Sequence, residues 1–242
     1  MQITDKKPIL VTDSGVGGLT VLNKLSLAFP NQSFIYYSDY KNVPYGSKSK
    51  TEIERFCIER IDYALKSNVK LMVVACNTMS VVGKKIFAKS KIPIVNVVAF
   101  DEIKGDFFSE PIVMFCTPQT AKSLPISRLS RIKVIALPDL ANDIEKHIFD
   151  LNYVPDCLKK DYGNFNTVVL GCTHYLFLKS DFAARCNTNN IIDGTEDIAE
   201  RVARFIGEPP DNENKLKRAR VRFVGSGAKR THAVYKLRFL KP

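Results

Sequence analysis

Two cysteines sit in settings where a thiol could do acid–base work. In Val168-Val169-Leu170-Gly171-Cys172-Thr173-His174-Tyr175, an apolar run of strand character breaks into polar residues, and a thiol is followed two positions later by an imidazole. Open α/β sheets place their working groups there, at the carboxyl ends of strands. A thiolate and an imidazole at that spacing can share a proton. A buried structural cysteine beside a loop histidine fits the same residues, because free cysteine is among the most buried residue types. The pattern recurs, however. Val73-Val74-Ala75-Cys76-Asn77-Thr78 repeats the paired valines, the small residue, the cysteine and the polar run with threonine, at an offset of 96 positions. Two facing thiols suit a reaction that removes a proton from one face of a carbon and returns one to the other.

A true duplication should repeat the other strand ends that position these thiols. Ile9 to Thr12, ending at Asp13, matches Ile112 to Cys116, ending at Thr117. Phe34 to Asp39 matches Val134 to Asp139 at an offset of 100, and Ile94 to Asn96 matches Ile191 to Asp193 at an offset of 97. These repeats predict an α/β protein of two pseudo-symmetric parallel-sheet domains with the active site in the cleft between them. The first comprises residues 1–97 with 207–242 and carries Asp13 and Cys76. The second, 98–206, carries Glu145, Cys172 and His174. The late strand Val221 to Val224 and the helix expected after it have no counterpart in the second half, so they are expected to return to the first.

Along the chain, the strand Pro8 to Thr12 opens into Asp13-Ser14-Gly15-Val16-Gly17-Gly18. Glycines directly after a strand permit a tight turn and close backbone approach, and the helix Leu19 to Ala28 offers its amides to an anion. The third glycine of a dinucleotide fingerprint would fall at Thr20, and no Gly-Lys-Ser/Thr follows, so a carboxylate is the more natural guest. Asp13 fits a helix N-cap or a second role at the strand end. The loop Asp39 to Ser47 holds Pro44-Tyr45-Gly46, a turn able to present amides and a hydroxyl. Thr51 to Asn68 has helical spacing, with Ile53, Phe56, Cys57, Arg60, Ile61 and Leu65 on one face and Cys57 in the core. A helix to Ser90 follows Cys76, and then a strand from Ile92 to Val98. Leu140 to Phe149 is a helix whose Glu145 and His147 are of the types that usually stay exposed.

A chain of 242 residues, 45% hydrophobic, can bury cores for two domains. No run of eighteen apolar residues and no signal peptide at Met1 to Lys7 is present, so a soluble, cytoplasmic protein with its six cysteines reduced is expected. No cysteine pair has zinc-ligand spacing, and His147, His174 and His232 are the only histidines, so no metal is expected. The formal charge of +11 is concentrated late: Asp211 to Pro242 holds ten Lys/Arg against Asp211 and Glu213. Without a recognition motif or an aromatic platform, this tail reads as a solvated face that aids solubility and draws in an anionic substrate. Neither nucleic acid nor membrane is expected as a partner.

Taken together, Asp13-Ser14-Gly15-Val16-Gly17-Gly18-Leu19, Pro44-Tyr45-Gly46, Ala75-Cys76-Asn77-Thr78 and Gly171-Cys172-Thr173-His174-Tyr175 resemble glutamate racemase, of the aspartate/glutamate racemase superfamily. The resemblance runs in order across nearly the whole chain. It implies a cofactor-independent isomerase, a homodimer, whose two α/β domains close over glutamate between two cysteines and which supplies D-glutamate for peptidoglycan. Carried over by position, it makes Cys76 the acid/base for the D-enantiomer, assisted by Asp13. Cys172 serves the L-enantiomer, assisted by His174 and, on a looser match, Glu145. Asp13, Ser14, Tyr45, Gly46, Asn77, Thr78, Thr117, Thr120, Thr173 and His174 match positions that hold the substrate. Departures from the family pattern are Ser38-Asp39 before the tyrosine loop, Leu176 after Cys-Thr-His-Tyr, Val98-Ala99-Phe100-Asp101 in place of Glu-Pro-Gly, and a shortened Ser123 to Arg131. They touch hinge and packing rather than the proposed catalytic groups.

The chemistry agrees. An amino acid's α-proton is very weakly acidic, and without pyridoxal phosphate there is no electron sink, so the site must work by electrostatics and desolvation. A free thiol, with a pKa of about 8.5, can act as base or acid near neutrality. Three other readings stay open on the residues alone: an aspartate racemase of the same superfamily, a Cys-His acyl-transfer enzyme using Cys172 and His174, and a non-enzymatic binding protein. Only the racemases need the second cysteine.

Overall fold

The computed structural model describes residues 7–102, 111–124, 132–211 and 217–240. Its strands are β1 (Ile9–Asp13), β2 (Ser33–Ser38), β3 (Leu71–Val74), β4 (Ile94–Asn96), β5 (Ile112–Cys116), β6 (Ile132–Ala136), β7 (Thr167–Gly171), β8 (Ile191–Ile192) and β9 (Arg220–Val224). They form two wholly parallel sheets, in the orders β4-β3-β1-β2-β9 and β6-β5-β7-β8. Read from the other edge, the second sheet is β8-β7-β5-β6, so β1 corresponds to β5, β2 to β6, β3 to β7 and β4 to β8. The sequence repeats are therefore a repeat of topology. Every residue of β1, β3, β5 and β7 is buried, which is why these strands read as continuous apolar runs rather than alternating ones. Strand β9 pairs with β2 and carries the C-terminal segment back to the first sheet.

The helices are α1 (Leu19–Ala28), α2 (Lys50–Lys66), α3 (Asn77–Val82), α4 (Lys84–Phe87), α5 (Pro118–Ser123), α6 (Leu140–His147), α7 (Lys179–Arg185), α8 (Ile198–Ile206) and α9 (Ala228–Tyr235). Helix α2 starts on a capping box in which Ser49 and Glu52 satisfy each other's backbone amides. It buries Ile53, Phe56, Cys57, Arg60 and Ala64, while Leu65 is exposed. The apolar stripe continues at i+4 from Arg60, one residue before the expected leucine. The helix expected after Cys76 is two short ones that meet at Gly83. Helix α1 begins only after Gly18, so Asp13 is not its cap. One continuous apolar cluster, from Val11 and Leu22 through Leu140 and Leu170 to Phe182, packs the layers of the two sheets together.

The basic tail is more than a solvated face. Arg238 donates from Nε and Nη2 to the Ile148 carbonyl at 3.2 and 2.8 Å, just past the C-terminal end of α6. Arg218 donates to Asn23 Oδ1, and Arg230 to the Glu145 carbonyl. Cationic donors at a helix C-terminus satisfy carbonyls that have no partner within the helix. Most of the shortened Ser123 to Arg131 segment lies outside the described residues. Among the described residues no helix is long and apolar enough to cross a membrane.

Candidate active site

The carboxyl ends of the four central strands, β1, β3, β5 and β7, deliver Ser14, Cys76, Thr117 and Cys172 to one small cavity, which Tyr45, Gly46, Asn77, Thr78, Thr173 and His174 also line. Both thiols are 6% exposed. Cys76 ends β3's extension and leads directly into α3, and Cys172 stands at the equivalent point between β7 and a 3-10 turn, Thr173–Leu178. Helical and turn backbone after each thiol lifts it clear of the sheet.

Around Cys172 the residues form a chain. Its Sγ lies 3.9 Å from His174 Nδ1, and His174 Nε2 lies 2.8 Å from Glu145 Oε1. The same carboxylate oxygen accepts the Val16 amide at 2.7 Å, from the glycine loop after β1. Glu145 and His174 are each 2% exposed. Side chains of this type usually stay exposed, but α6 turns Glu145 inward, while His147, two residues on, stacks on Tyr153 at 3.9 Å in solvent. Burial works against the His174 imidazolium, yet Cys172 and Glu145 together carry its pKa well above the ordinary value. Burial likewise opposes the Glu145 carboxylate, and His174, the Val16 amide and Arg230 hold its pKa below the ordinary value.

Around Cys76 the electrostatics are opposite. Burial first, then the neighbouring Asp13 and Cys172, push its pKa well up, so it rests as a thiol. Asp13 is itself raised by burial, against the pull of His174, the Gly15 amide and Thr173. Its Oδ1 accepts the Gly15 amide at 3.0 Å and its Oδ2 accepts the Thr173 hydroxyl at 2.9 Å, so it links the loop beside one thiol to the loop beside the other. The glycines make that approach possible. A Cβ at Gly17 would stand 2.5 Å from Thr173 Oγ1, and one at Gly46 2.4 Å from Thr117 Cβ.

The remaining residues supply hydrogen-bond donors. Thr78, Thr117 and Thr120 form a triangle of hydroxyls, Thr78 at 2.9 Å from each of the others and Thr117 at 3.0 Å from Thr120. Asn77 accepts the Ala99 amide on Oδ1 at 3.0 Å, while its buried Nδ2 has no hydrogen-bond partner among the described residues. A buried amide left that way is a donor awaiting an acceptor. Tyr45 differs from expectation. Its hydroxyl donates to Asp39 Oδ2 at 2.8 Å and its ring stacks on Phe56, so the hydroxyl is already engaged away from a substrate. Sequence reasoning passed over Tyr36, whose buried hydroxyl donates to the Gly15 carbonyl at 2.8 Å and props the glycine loop. It also passed over Asp39 and Arg230. None of the three has a local signature: Tyr36 is mid-strand, and Arg230 lies among tail charges. Cys116 is fully buried in β5, and Cys57 is buried in α2, as expected of structural thiols. Among the described residues no group of three or more His, Cys, Asp or Glu side chains is placed to hold a metal ion.

No protein-family model matches the chain. A curated glutamate racemase from Campylobacter concisus is 34% identical over 215 residues, 81% of this chain and 82% of the relative. The chain belongs to the glutamate racemase family. Solved structures agree. Glutamate racemase from Campylobacter jejuni superposes with a TM-score of 0.77 at 25% identity, covering 96% of this chain and 98% of that one. Glutamate racemase from Thermus thermophilus, solved in complex with beta-chloro-D-alanine, superposes with a TM-score of 0.73 at 29% identity, over 96% and 93%. Membership of this family makes the chain an amino-acid racemase with two parallel-sheet α/β halves, and it decides among the open readings: an acyl-transfer enzyme and a binding protein do not belong to it.

Proposed function

We propose that this enzyme interconverts L- and D-glutamate by proton transfer between two thiols, in a cleft between residues 1–97 with 207–242 and residues 98–206. The single observation that carries the mechanism is that Cys76 and Cys172, on topologically equivalent strand ends of the two sheets, line one small cavity. In the L-to-D direction Cys172 takes the α-proton, and His174, held by Glu145, bears the compensating positive charge. Cys76, kept protonated by burial and Asp13, delivers a proton to the opposite face. In the reverse direction the roles exchange. On this proposal the hydroxyl triangle, which bridges the two sheets, and the Nδ2 of Asn77 donate to the substrate's carboxylates; the unpaired buried Nδ2 supports the reading. Preorganised donors in a dry site stabilise developing charge better than water does.

The cavity is about 10 Å3, room for about one water molecule and not for glutamate. On this reading the two halves part to admit substrate and close over it. Closed, the site excludes the water that would otherwise protonate the carbanion from either face. The product, D-glutamate, is proposed to serve peptidoglycan synthesis. The cytoplasm is the proposed compartment, in keeping with six free cysteines.

The test separates the thiols. In each single variant racemisation should fall by orders of magnitude, since serine is too weak an acid–base group near neutral pH. With Cys172→Ser, β-chloro-D-glutamate should still lose chloride, because Cys76 reaches its α-proton. With Cys76→Ser, only the L-configured analogue should react. A variant that eliminates equally from both enantiomers would show one base serving both faces and would defeat the assignment. Glutamate against aspartate as substrate, compared by circular dichroism, tests the specificity.

A further inference from the structure

Glu145 belongs to the second half, yet its carboxylate is gripped from the first. Val16, after β1, donates to Oε1, and Arg230, on the last helix of the segment that β9 anchors to the first sheet, brings Nε to 3.5 Å from Oε2. The Arg230 fork also donates to the Glu145 backbone carbonyl. Its guanidinium carbon sits 5.1 Å from the ring centroids of both Tyr40 and Phe149, so two aromatic faces hold the fork in place. Arg230 is 24% exposed on its side chain, whereas the carboxylate it faces is 2% exposed. Among the described residues neither Glu145 Oε2 nor Arg230 Nε has a hydrogen-bond partner, so the two buried atoms face each other as an ion pair at 3.5 Å rather than as a hydrogen bond.

We infer that Arg230 is a positioning residue for the Cys172 side of the reaction: it clamps Glu145 so that Glu145 can hold His174 against Cys172. The inference rests on the two-thiol reading above. It also makes closure do more than exclude water. The contacts of Val16 and Arg230 with Glu145 both cross from one half to the other, so the Cys172 base is fully assembled only when the cleft is shut. Cys76 has no such dependence on Arg230. The titratable groups that face Glu145 are His174, Arg230, Asp13 and Tyr36. Among them Arg230 and His174 favour its charged form, and Arg230 alone does so without itself exchanging a proton with a thiol's partner.

A racemase must show equal kcat/KM in its two directions, since its equilibrium constant is unity, so racemisation cannot resolve the two sides. Elimination can. From β-chloroglutamate the base removes the α-proton, the electron pair of that C–H bond forms the Cα–Cβ double bond, and chloride leaves with the Cβ–Cl pair. The resulting enamine tautomerises and hydrolyses to 2-oxoglutarate and ammonium. In Arg230→Gln, whose amide can still donate to the Glu145 carbonyl, elimination from the L-configured analogue should fall tenfold or more. Elimination from the D-configured analogue should fall less than twofold. The acid limb of the L-reaction should move to higher pH, because Glu145 then protonates more readily, and Arg230→Lys should restore part of both effects. Equal losses for the two enantiomers, or an unmoved acid limb, would reduce Arg230 to a structural tie and overturn the inference. Wild-type enzyme that eliminated from only one enantiomer would instead refute the two-thiol reading itself.

Discussion

Thr78→Val removes one corner of the hydroxyl triangle and leaves its volume in place. In the free enzyme two hydrogen bonds are lost, one between Thr78 and Thr117 and one between Thr78 and Thr120, both at 2.9 Å. Thr117 and Thr120 remain bonded to each other at 3.0 Å, so no buried hydroxyl is orphaned. At about 0.5–1.5 kcal/mol for each neutral bond, the folding cost is about 1–3 kcal/mol. The substrate loses more. A hydroxyl donating to a carboxylate contributes about 1.5–3 kcal/mol, and about 1.4 kcal/mol corresponds to a factor of ten, so KM should rise about 10–150-fold. Deprotonation at Cα adds charge to the α-carboxylate and none to the side-chain carboxylate, so kcat should stay within a few-fold of wild type if the triangle holds the side-chain carboxylate and should fall as well if it holds the α-carboxylate. Initial rates by circular dichroism from L- and from D-glutamate measure both constants, and the two values of kcat/KM must fall together. An unchanged KM would show that no carboxylate reaches the triangle. A fall in kcat at constant KM would move Thr78 from binding to the transition state.

Two further outcomes follow from the buried charges. Asp13 carries a pKa raised by burial, so its ionised form costs stability above that pKa; Asp13→Asn should raise the melting temperature at neutral pH while sharply reducing racemisation. An unchanged or lower melting temperature would show that the Gly15 and Thr173 contacts outweigh the cost of burying the charge. Glu145 behaves oppositely: its folded pKa lies below the ordinary 4.5, so its contribution is present above about that pH and is lost as pH falls through the folded value. Glu145→Gln should therefore flatten the acid limb of melting temperature against pH, which thermal unfolding from neutral pH down into that range would measure; an identical acid limb would place the stabilisation elsewhere.

Much of this protein was written locally. The apolar runs before Cys76 and Cys172 identified strands buried on both faces, and their repetition identified two like sheets, because the burial of a strand is written in its own run of apolar residues, whereas the strand order came only with the fold. The thiols, Asp13 and the glycine loop were legible for the same reason: each stands directly at a strand end, where an α/β sheet exposes chemistry. What the tertiary structure decided was partnership. Whether Glu145 faces solvent or His174 depends on how α6 lies against the glycine loop, a contact between residues 129 positions apart. Tyr45 matches the family's substrate loop, but only the fold reveals that Asp39 takes its hydroxyl. Arg230 is one basic residue among ten in the tail until β9 pairs with β2 and α9 swings it onto Glu145. A charge's sign is local, but its solvation and its partner are set by long-range packing, and it is those that bring a tail arginine against a buried carboxylate.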